Sequence, residues 1–510
     1  MAMKGRRAGL LITLLIAIVA LWPALLNGGP FYMADTPSYF RGAASVFFKF
    51  LQVKTQWTAE FLRLYQADAG PAAAPPAPVT GTNAAAESPV TLSGRSVYYG
   101  ILLYSGYLAG SVWIVVAVQC LLSAACIVLT ARLIGRALGQ EIPPATVLLI
   151  GVVTAAATSL GYFAGYLMPD LFTGLAALAL ANLLFLSPWL ERLEKPFWWA
   201  VLAYSLLVHS TILMMGVAIV LLWAIYGVFR RSRFDFRPIL GVGVCIAIGA
   251  LGQVAFNQGV RLMTGYPPVR PPFIAMRLIA DGPGYSYLQE HCTKERYIYC
   301  RTLAHPPLPS DTLLWSADPN VSLFRGLPPD DQRISASEQP SFVAAVTAER
   351  PVEVITDAVR DSVMQMLTFD IAVNFNYSDE GRRRFEKTIP AQSLHSIEQT
   401  RAYDGTMPTA FAQGSTALLS AISLLFFLVF IARENRPERQ PLRGYCLCIV
   451  AAILINAAIC GALSGPKGRY QMRLVWILPV VAAALISRPS RYMRPKTNPP
   501  VLEQRGEETA

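Results

Sequence analysis

The sequence contains two acidic residues and, near its end, a cluster of basic residues that could act together in catalysis. Asp35 lies among aromatic residues in "FYMADTPSYFRGA" (31–43), and Asp170 lies in "YLMPDLFTG" (166–174). A carboxylate can accept the proton of a hydroxyl nucleophile. Guanidinium groups bind phosphate in a bidentate way and stabilise the negative charge of a departing phosphate. The late segment "KGRYQMR" supplies the matching side chains Lys467, Arg469, Tyr470 and Arg473.

Together these groups suit attack by a sugar hydroxyl on a sugar that is linked to a lipid phosphate. Further candidates beside the same segments are Tyr39, Arg41, Arg95 and His209. Each candidate also has a structural interpretation. Asp35 and Asp170 stand where a helix could begin and could cap it. The late arginines could contact lipid headgroups, Arg95 could anchor a helix at the membrane interface, and His209 could be a buried, hydrogen-bonded residue.

The elements that must position these residues are transmembrane helices. The 510 residues are 54% hydrophobic and only 15% charged, whereas a soluble domain is about a quarter charged. The mean hydropathy is +0.42, and several apolar windows reach about 20 residues, the length that crosses a bilayer. The net charge of +11 does not indicate nucleic-acid binding, because Lys and Arg cluster just outside the apolar windows, as topogenic signals do.

The apolar windows predict an all-α polytopic membrane protein with about ten transmembrane helices. The predicted spans are about 8–27, 110–131, 143–164, 171–189, two short spans within 197–229, 238–257, 413–432, 444–463 and 474–488. The window 197–229 is divided at His209, Ser210 and Thr211 because two spans keep "RRSRFDFR" (230–237) on the cytoplasmic side. The first apolar run is longer than a signal-peptide core, so we expect it to be retained.

These spans predict a domain organisation and a location. Residues 1–257 form an N-terminal transmembrane module with a first extracytoplasmic loop at 28–109, of which about 66–90 lacks any apolar period and is predicted to be disordered. Residues 258–411 form an extracytoplasmic segment, 412–488 are C-terminal transmembrane helices and 489–510 are a cytoplasmic tail. The protein is expected in the cytoplasmic (inner) membrane with both termini cytoplasmic. The two acids and the late basic cluster then share the extracytoplasmic face.

The eight cysteines fall into two groups. Six lie in apolar windows, where cysteine acts as a small apolar residue. Cys292 and Cys300 lie in the polar stretch "HCTKERYIYC" of the extracytoplasmic segment, where a local disulfide is expected. His291 beside Cys292 fits no zinc spacing, and no metal site is predicted.

The segments quoted above resemble the GT-C superfamily of integral membrane glycosyltransferases. The resemblance rests on an acid just after the first helix ("FYMADTPSYFRGA"), a second acid after the third helix ("MPD") and "GRYQMR" before the last helix. The break at 209–211 also resembles a short hairpin of that superfamily. The chain departs from many members in having no separate soluble C-terminal domain and in placing its large outer segment between helices seven and eight.

The resemblance implies a polyprenyl-phosphate-linked sugar donor, a reaction on the extracytoplasmic side, Asp35 as a base, and the arginines on the donor phosphate. The acceptor would be a glycan, a lipid or a protein. An acid pair holds a divalent cation in some relatives, although no motif here requires one.

Two other classes of function remain open. A transporter or flippase of polysaccharide lipids would need ionisable residues within the spans. A non-catalytic membrane scaffold would use 258–411 to bind partners and would leave the two acids far apart.

Overall fold

The computed structural model of the chain describes residues 2–58, 91–94, 96–229, 237–294, 297–488 and 491–492. Helices make up 78% of the structure. The predicted disordered stretch at about 66–90, the candidate Arg95 and nearly all of the predicted tail lie outside the described residues. For the described residues, the prediction of an all-α fold is confirmed.

The helices before residue 265 are Ala2–Ala20, Trp22–Asn27, Thr36–Leu51, Val97–Leu108, Trp113–Ala137, Pro144–Ala157, Leu160–Ala164, Phe172–Phe185, Glu194–Val208, Ser210–Phe229 and Arg237–Thr264. The middle segment contains Phe273–Asp281, Pro283–His291, Ser310–Trp315, Pro329–Glu349, Pro351–Leu367, Ala372–Phe375, Asp379–Thr388, Ala391–Glu398 and Arg401–Asp404. The C-terminal helices are Ala410–Arg433, Gln440–Ser464, Gly468–Val475 and Ile477–Ile486. Short 3-10 turns lie at Pro169–Leu171, Ser187–Trp189, Ile298–Ala304 and Pro437–Arg439. Gln140–Glu141 pairs antiparallel with Arg491–Tyr492.

Within the described residues, six helical stretches are long and apolar enough to cross a membrane: Arg7–Asn27, Trp113–Ala137, Arg237–Thr264, Ala410–Arg433, Pro437–Ser464 and Gly468–Ile486. Shorter apolar helices lie at Pro144–Ala157, Pro169–Phe185 and Ser210–Ile225. The protein is therefore a helical, multi-pass membrane protein. The number of ten spans stays a prediction, because several predicted spans coincide with helices that are too short to cross a bilayer unaided.

Local backbone breaks shorten these helices. The helix Pro144–Ala157 ends where Thr158 turns to an extended conformation, with φ −124° and ψ 175°, and the chain resumes only as the five-residue helix Leu160–Ala164. His209 is likewise extended, with φ −150° and ψ 126°, between Glu194–Val208 and Ser210–Phe229. The predicted division of the window 197–229 therefore lies at His209.

The helix Arg237–Thr264 shows the face that the bundle turns to lipid. Its exposed apolar side chains recur every three or four residues and are Leu240, Val244, Ile248, Leu251 and Val254. This spacing places them on one side of the helix. Such a stripe would be costly in water and is typical of contact with acyl chains.

The helix Phe172–Phe185 forms the centre of the bundle, since every one of its residues is buried. A helix that is apolar on all sides is stable only when neighbours surround it. Glu194–Val208 and Gln440–Ser464 pack beside it. Gly174 permits the closest approach, because a Cβ there would lie 2.8 Å from the indole of Trp476.

The middle segment has a core of its own. Its buried members are Val269, Ala275, Met276, Leu278, Ile279, Tyr287, Leu288, Tyr299, Leu313, Leu314, Leu323, Phe324, Phe342 and Val346. A disulfide joins Cys292 and Cys300, whose Cα atoms are 5.8 Å apart. The other six cysteines are free and buried.

The helix Pro351–Leu367 attaches this segment to the end of Gln440–Ser464. The backbone carbonyl of Asp361 lies so close to Gly461 that a Cβ on the glycine would be 2.5 Å from the oxygen. The amide of Gln365 exchanges two hydrogen bonds with the backbone of Lys467, at 2.8 and 2.9 Å. Because Lys467 lies between two candidate spans, this contact fixes the middle segment at the end of the helical bundle.

Candidate functional site

The loop that carries Asp35 is joined to the turn that carries Asp170. The backbone N–H of Phe31 donates to the carbonyl of Gly165 at 2.9 Å, and the N–H of Leu167 donates to the carbonyl of Phe31 at 2.9 Å. The Thr36 hydroxyl also donates to the carbonyl of Leu167 at 3.2 Å. These bonds hold 31–36 beside 165–167, so two segments more than 130 residues apart in sequence form one wall of the site.

Asp170 and Arg473 form a buried ion pair. Arg473 Nη1 lies 3.1 Å from Asp170 Oδ1, and the two side chains are 0% and 2% exposed respectively. Arg473 Nη2 donates to Asn456 Oδ1 at 3.0 Å and lies 3.3 Å from Cys460 Sγ. A buried carboxylate of this kind is stable only when an opposite charge compensates it. Asp170 therefore positions Arg473 rather than acting as an accessible base.

Arg469 lies one helical turn before Arg473, on the same face of Gly468–Val475. The two guanidinium groups contact the Tyr470 ring, with distances from Cζ to the ring centroid of 4.9 Å and 5.0 Å. Arg469 Nη2 also donates to the Tyr470 hydroxyl at 3.3 Å, and Arg469 Nη1 contacts the sulfur of Met33. Met33 precedes Asp35 by two residues, so the late basic segment reaches the first loop.

The two arginines differ in accessibility. Arg473 is fully buried and its terminal nitrogens contact protein atoms, whereas Arg469 is only partly buried. Phosphate binding by the two arginines stays a prediction, and of the two only Arg469 retains exposed surface.

Tyr470 helps to hold the two arginines in position. Its carbonyl accepts from Asn456 Nδ2 at 2.8 Å, and its hydroxyl lies 3.3 Å from Ser464 Oγ. Its position between the guanidinium groups makes it a spacer for both cations.

Lys467 points elsewhere. Its ammonium group lies 2.9 Å from Asp311 Oδ1 of the middle segment. The expectation that Lys467 joins the phosphate site is therefore not met by its geometry, because the side chain leaves the site and bridges two parts of the fold.

Two of the further candidates, His209 and Tyr39, occupy different settings. His209 Nδ1 lies 2.8 Å from Thr211 Oγ1, which Arg473 Nη2 also contacts at 3.4 Å, and His209 acts electrostatically on Asp170. Tyr39 is buried and packs edge-on against Tyr99, with ring centroids 5.4 Å apart. This packing favours a structural role for Tyr39.

Asp35 stands at the N-terminus of the described helix Thr36–Leu51, but its side chain does not accept a bond from the first turn of that helix. Both Asp35 and Arg41 are half-buried. The geometry therefore does not favour the capping interpretation of Asp35.

Tyr166 is a site residue that sequence reasoning missed. Burial raises the pKa of its hydroxyl well above the ordinary value of 10; Arg469 lowers that pKa, and Asp170 and Asp35 raise it. The two acids and the late arginine therefore all act on one hydroxyl group. Asn456 was also missed, although a single amide within an apolar window is a signal for a polar contact inside the bundle.

The charges around Asp170 do not favour a divalent cation. Arg469 and Arg473 both act on its carboxylate, and an added metal would be repelled by them. In the described ranges, the side chains that converge closely enough for a metal are Glu290, His291 and Glu349. Arg350 already lies 2.7 Å from Glu290 and 3.7 Å from Glu349.

Comparison with protein-family models, with curated proteins and with solved structures finds no match to this chain.

Proposed function

We propose that this protein is a membrane glycosyltransferase of the GT-C type. It transfers a sugar from a polyprenyl-phosphate donor to an extracytoplasmic glycan, lipid or protein acceptor. The observation that carries the proposal is the meeting of three distant segments: 31–36, 165–170 and the start of Gly468–Val475. They place the half-buried Asp35 two residues from Met33, whose sulfur the partly buried Arg469 contacts.

In the proposed reaction Asp35 accepts the proton of the acceptor hydroxyl. The hydroxyl oxygen then forms a bond to the anomeric carbon of the sugar while the bond from that carbon to the phosphate oxygen breaks. Arg469 stabilises the negative charge on the departing polyprenyl phosphate. The Asp170–Arg473 pair keeps the helix Gly468–Val475 in place, and the apolar bundle faces accommodate the lipid tail. The proposal places the reaction on the outer face of the cytoplasmic membrane.

The proposal is tested by Asp35→Asn in purified protein reconstituted in lipid nanodiscs. The measurement is release of polyprenyl phosphate from a polyprenyl-phosphate sugar in the presence of a cell-envelope extract as acceptor source. A general base raises the reaction rate about 10²–10⁴-fold. In Asp35→Asn the rate of release should therefore fall at least about 100-fold, while donor affinity and thermal stability stay unchanged. Asp404→Asn, which alters an exposed acid of the middle segment, is the matched control. Undiminished release by Asp35→Asn would rule out the role of Asp35.

One observation favours a second candidate, a transporter of lipid-linked saccharides. Ionisable pairs inside a helical bundle commonly mark transport pathways, and Asp170 with Arg473 is such a pair. In the same protein reconstituted in vesicles, transport would move a labelled headgroup across the bilayer with the bond from sugar to phosphate intact. The glycosyltransferase proposal predicts that this bond is broken.

A further inference from the structure

The buried hydroxyl of Tyr166 is a polar group that the proposed reaction does not yet use. The Tyr166 side chain is 0% exposed. Among the residues that the structure describes, its hydroxyl has no hydrogen-bond partner. Burying a hydroxyl without a partner costs its full desolvation free energy, so such a group calls for an explanation, and a bound acceptor group would provide one.

The rest of Tyr166 is firmly held. Its backbone carbonyl accepts from Gln119 Nε2 at 3.1 Å, and Phe31 is its neighbour in a parallel bridge. Its ring packs against Phe375 at 4.9 Å and Phe163 at 6.2 Å between centroids. The ring cannot turn to find a partner without disturbing these contacts, so the hydroxyl has a fixed direction.

A second donor without a partner lies on the helix Gly468–Val475, which reaches the same loop through the contact of Arg469 with Met33. Arg469 Nε is also buried and lacks a hydrogen-bond partner within the described part of the chain. The two side chains act on one another electrostatically. The Nε–H of Arg469 can only donate, and the Tyr166 hydroxyl, which its raised pKa keeps protonated, can donate as well. A ligand that offers acceptor oxygens would satisfy both groups, and a negatively charged ligand would also balance the guanidinium.

We propose that the Tyr166 hydroxyl donates a hydrogen bond to a phosphoryl oxygen of the ligand that Arg469 binds. This inference rests on the proposed function, which supplies a polyprenyl phosphate as that ligand. Tyr166 is then a substrate-binding residue that selects a phosphate at the end of the lipid. The bond replaces the partner that the protein itself does not provide.

The test compares Tyr166→Phe with the unmodified chain in lipid nanodiscs. The probes are a polyprenyl monophosphate, the uncharged polyprenol and inorganic phosphate. Loss of one hydrogen bond to a charged group corresponds to about 10–100-fold weaker binding. We expect that loss for the polyprenyl monophosphate and no change for the polyprenol. Inorganic phosphate should compete weakly, because the lipid tail contributes to binding of the intended ligand.

The matched control is Tyr445→Phe. Tyr445 is also fully buried with a hydroxyl that lacks a partner in the described residues, but it lies near the opposite end of Gln440–Ser464. Both variants should keep or slightly raise the thermal unfolding temperature, because neither removes a bond within the protein. Only Tyr166→Phe should lose phosphate affinity.

The remaining outcomes separate the two proposals. If Arg469→Ala weakens binding of the polyprenyl monophosphate but Tyr166→Phe does not, the phosphate site stands and the role of Tyr166 is wrong. If Tyr166→Phe weakens binding of polyprenol equally, the hydroxyl does not recognise phosphate and the inference is also wrong. If the unmodified chain binds none of the three probes, both the inference and the proposed function are wrong.

Discussion

At the scale of single residues, the Asp170–Arg473 pair shows how one ion pair determines which cation can bind a ligand. Arg473 donates to Asp170 and Asn456 inside the bundle. Arg469, one turn earlier, has no acid within salt-bridge distance in the described structure and lies nearer the surface. Two arginines of the same segment therefore have different settings: both act electrostatically on Asp170, but only Arg473 lies within salt-bridge distance of it.

Removing one member of the pair should be strongly destabilising. Arg473→Met would leave Asp170 buried without its counter-charge, at a cost of about 3–5 kcal/mol in the free energy of unfolding. The measurement is unfolding of purified protein in detergent. The double variant Asp170→Leu with Arg473→Met should recover much of the loss, because neither charge then remains uncompensated. Single variants as stable as the unmodified chain would contradict the structural role of the pair.

At the scale of elements, the helix Gly468–Val475 depends on its first residue. A Cβ on Gly468 would overlap the carbonyl oxygen of Asp370. That contact is with backbone rather than with a flexible side chain, so the helix or the segment at 370 would have to move. The helix carries Arg469 and Arg473, and its start is therefore coupled to the position of both guanidinium groups.

Gly468→Ala should consequently affect both stability and binding. Overpacking of this kind costs about 1–3 kcal/mol, and displacement of Arg469 should weaken binding of a polyprenyl monophosphate. Gly414→Ala is the control, because Gly414 is an exposed helical glycine with nothing within 4 Å of an added Cβ. The control should be neutral or more stable by about 0.5–1 kcal/mol. A Gly468→Ala protein that matches the control in both measurements would show that the close approach does not position the site.

At the scale of the whole molecule, hydrophobic patterning predicted the helical membrane bundle and the division at His209. It did not predict that the helix Pro144–Ala157 falls short of a span, because the backbone turn at Thr158 depends on packing against other helices. The apolar surplus alone carries no information on that turn. The count of ten spans remains a prediction for this reason.

The site was predictable only in part. Span parity predicted that Asp35, Asp170 and Arg469 share one face, and in the structure their segments are in contact. The pairing of Arg473 with Asp170 could not be predicted, since it depends on the rotation of a helix about its axis. The contact of Lys467 with Asp311 depends on the fold of the middle segment. Tyr166 has no motif, and only its buried, unpartnered hydroxyl identifies it.

The central claim is that the Asp35 loop and the Arg469 segment lie together on the outer face of the membrane. Cysteine labelling with a membrane-impermeant maleimide in intact cells tests this claim most directly. Three single variants are needed: Gln52→Cys after the first loop helix, Lys467→Cys before the last helices, and Glu191→Cys in the connector expected to be cytoplasmic. Gln52 and Glu191 are exposed, and Lys467 is one-third exposed.

Background labelling should be low, because the native cysteines are buried or joined in a disulfide. We expect positions 52 and 467 to react from outside and position 191 to react only after the membrane is permeabilised. Labelling of positions 52 and 467 from opposite sides of the membrane would contradict the central claim.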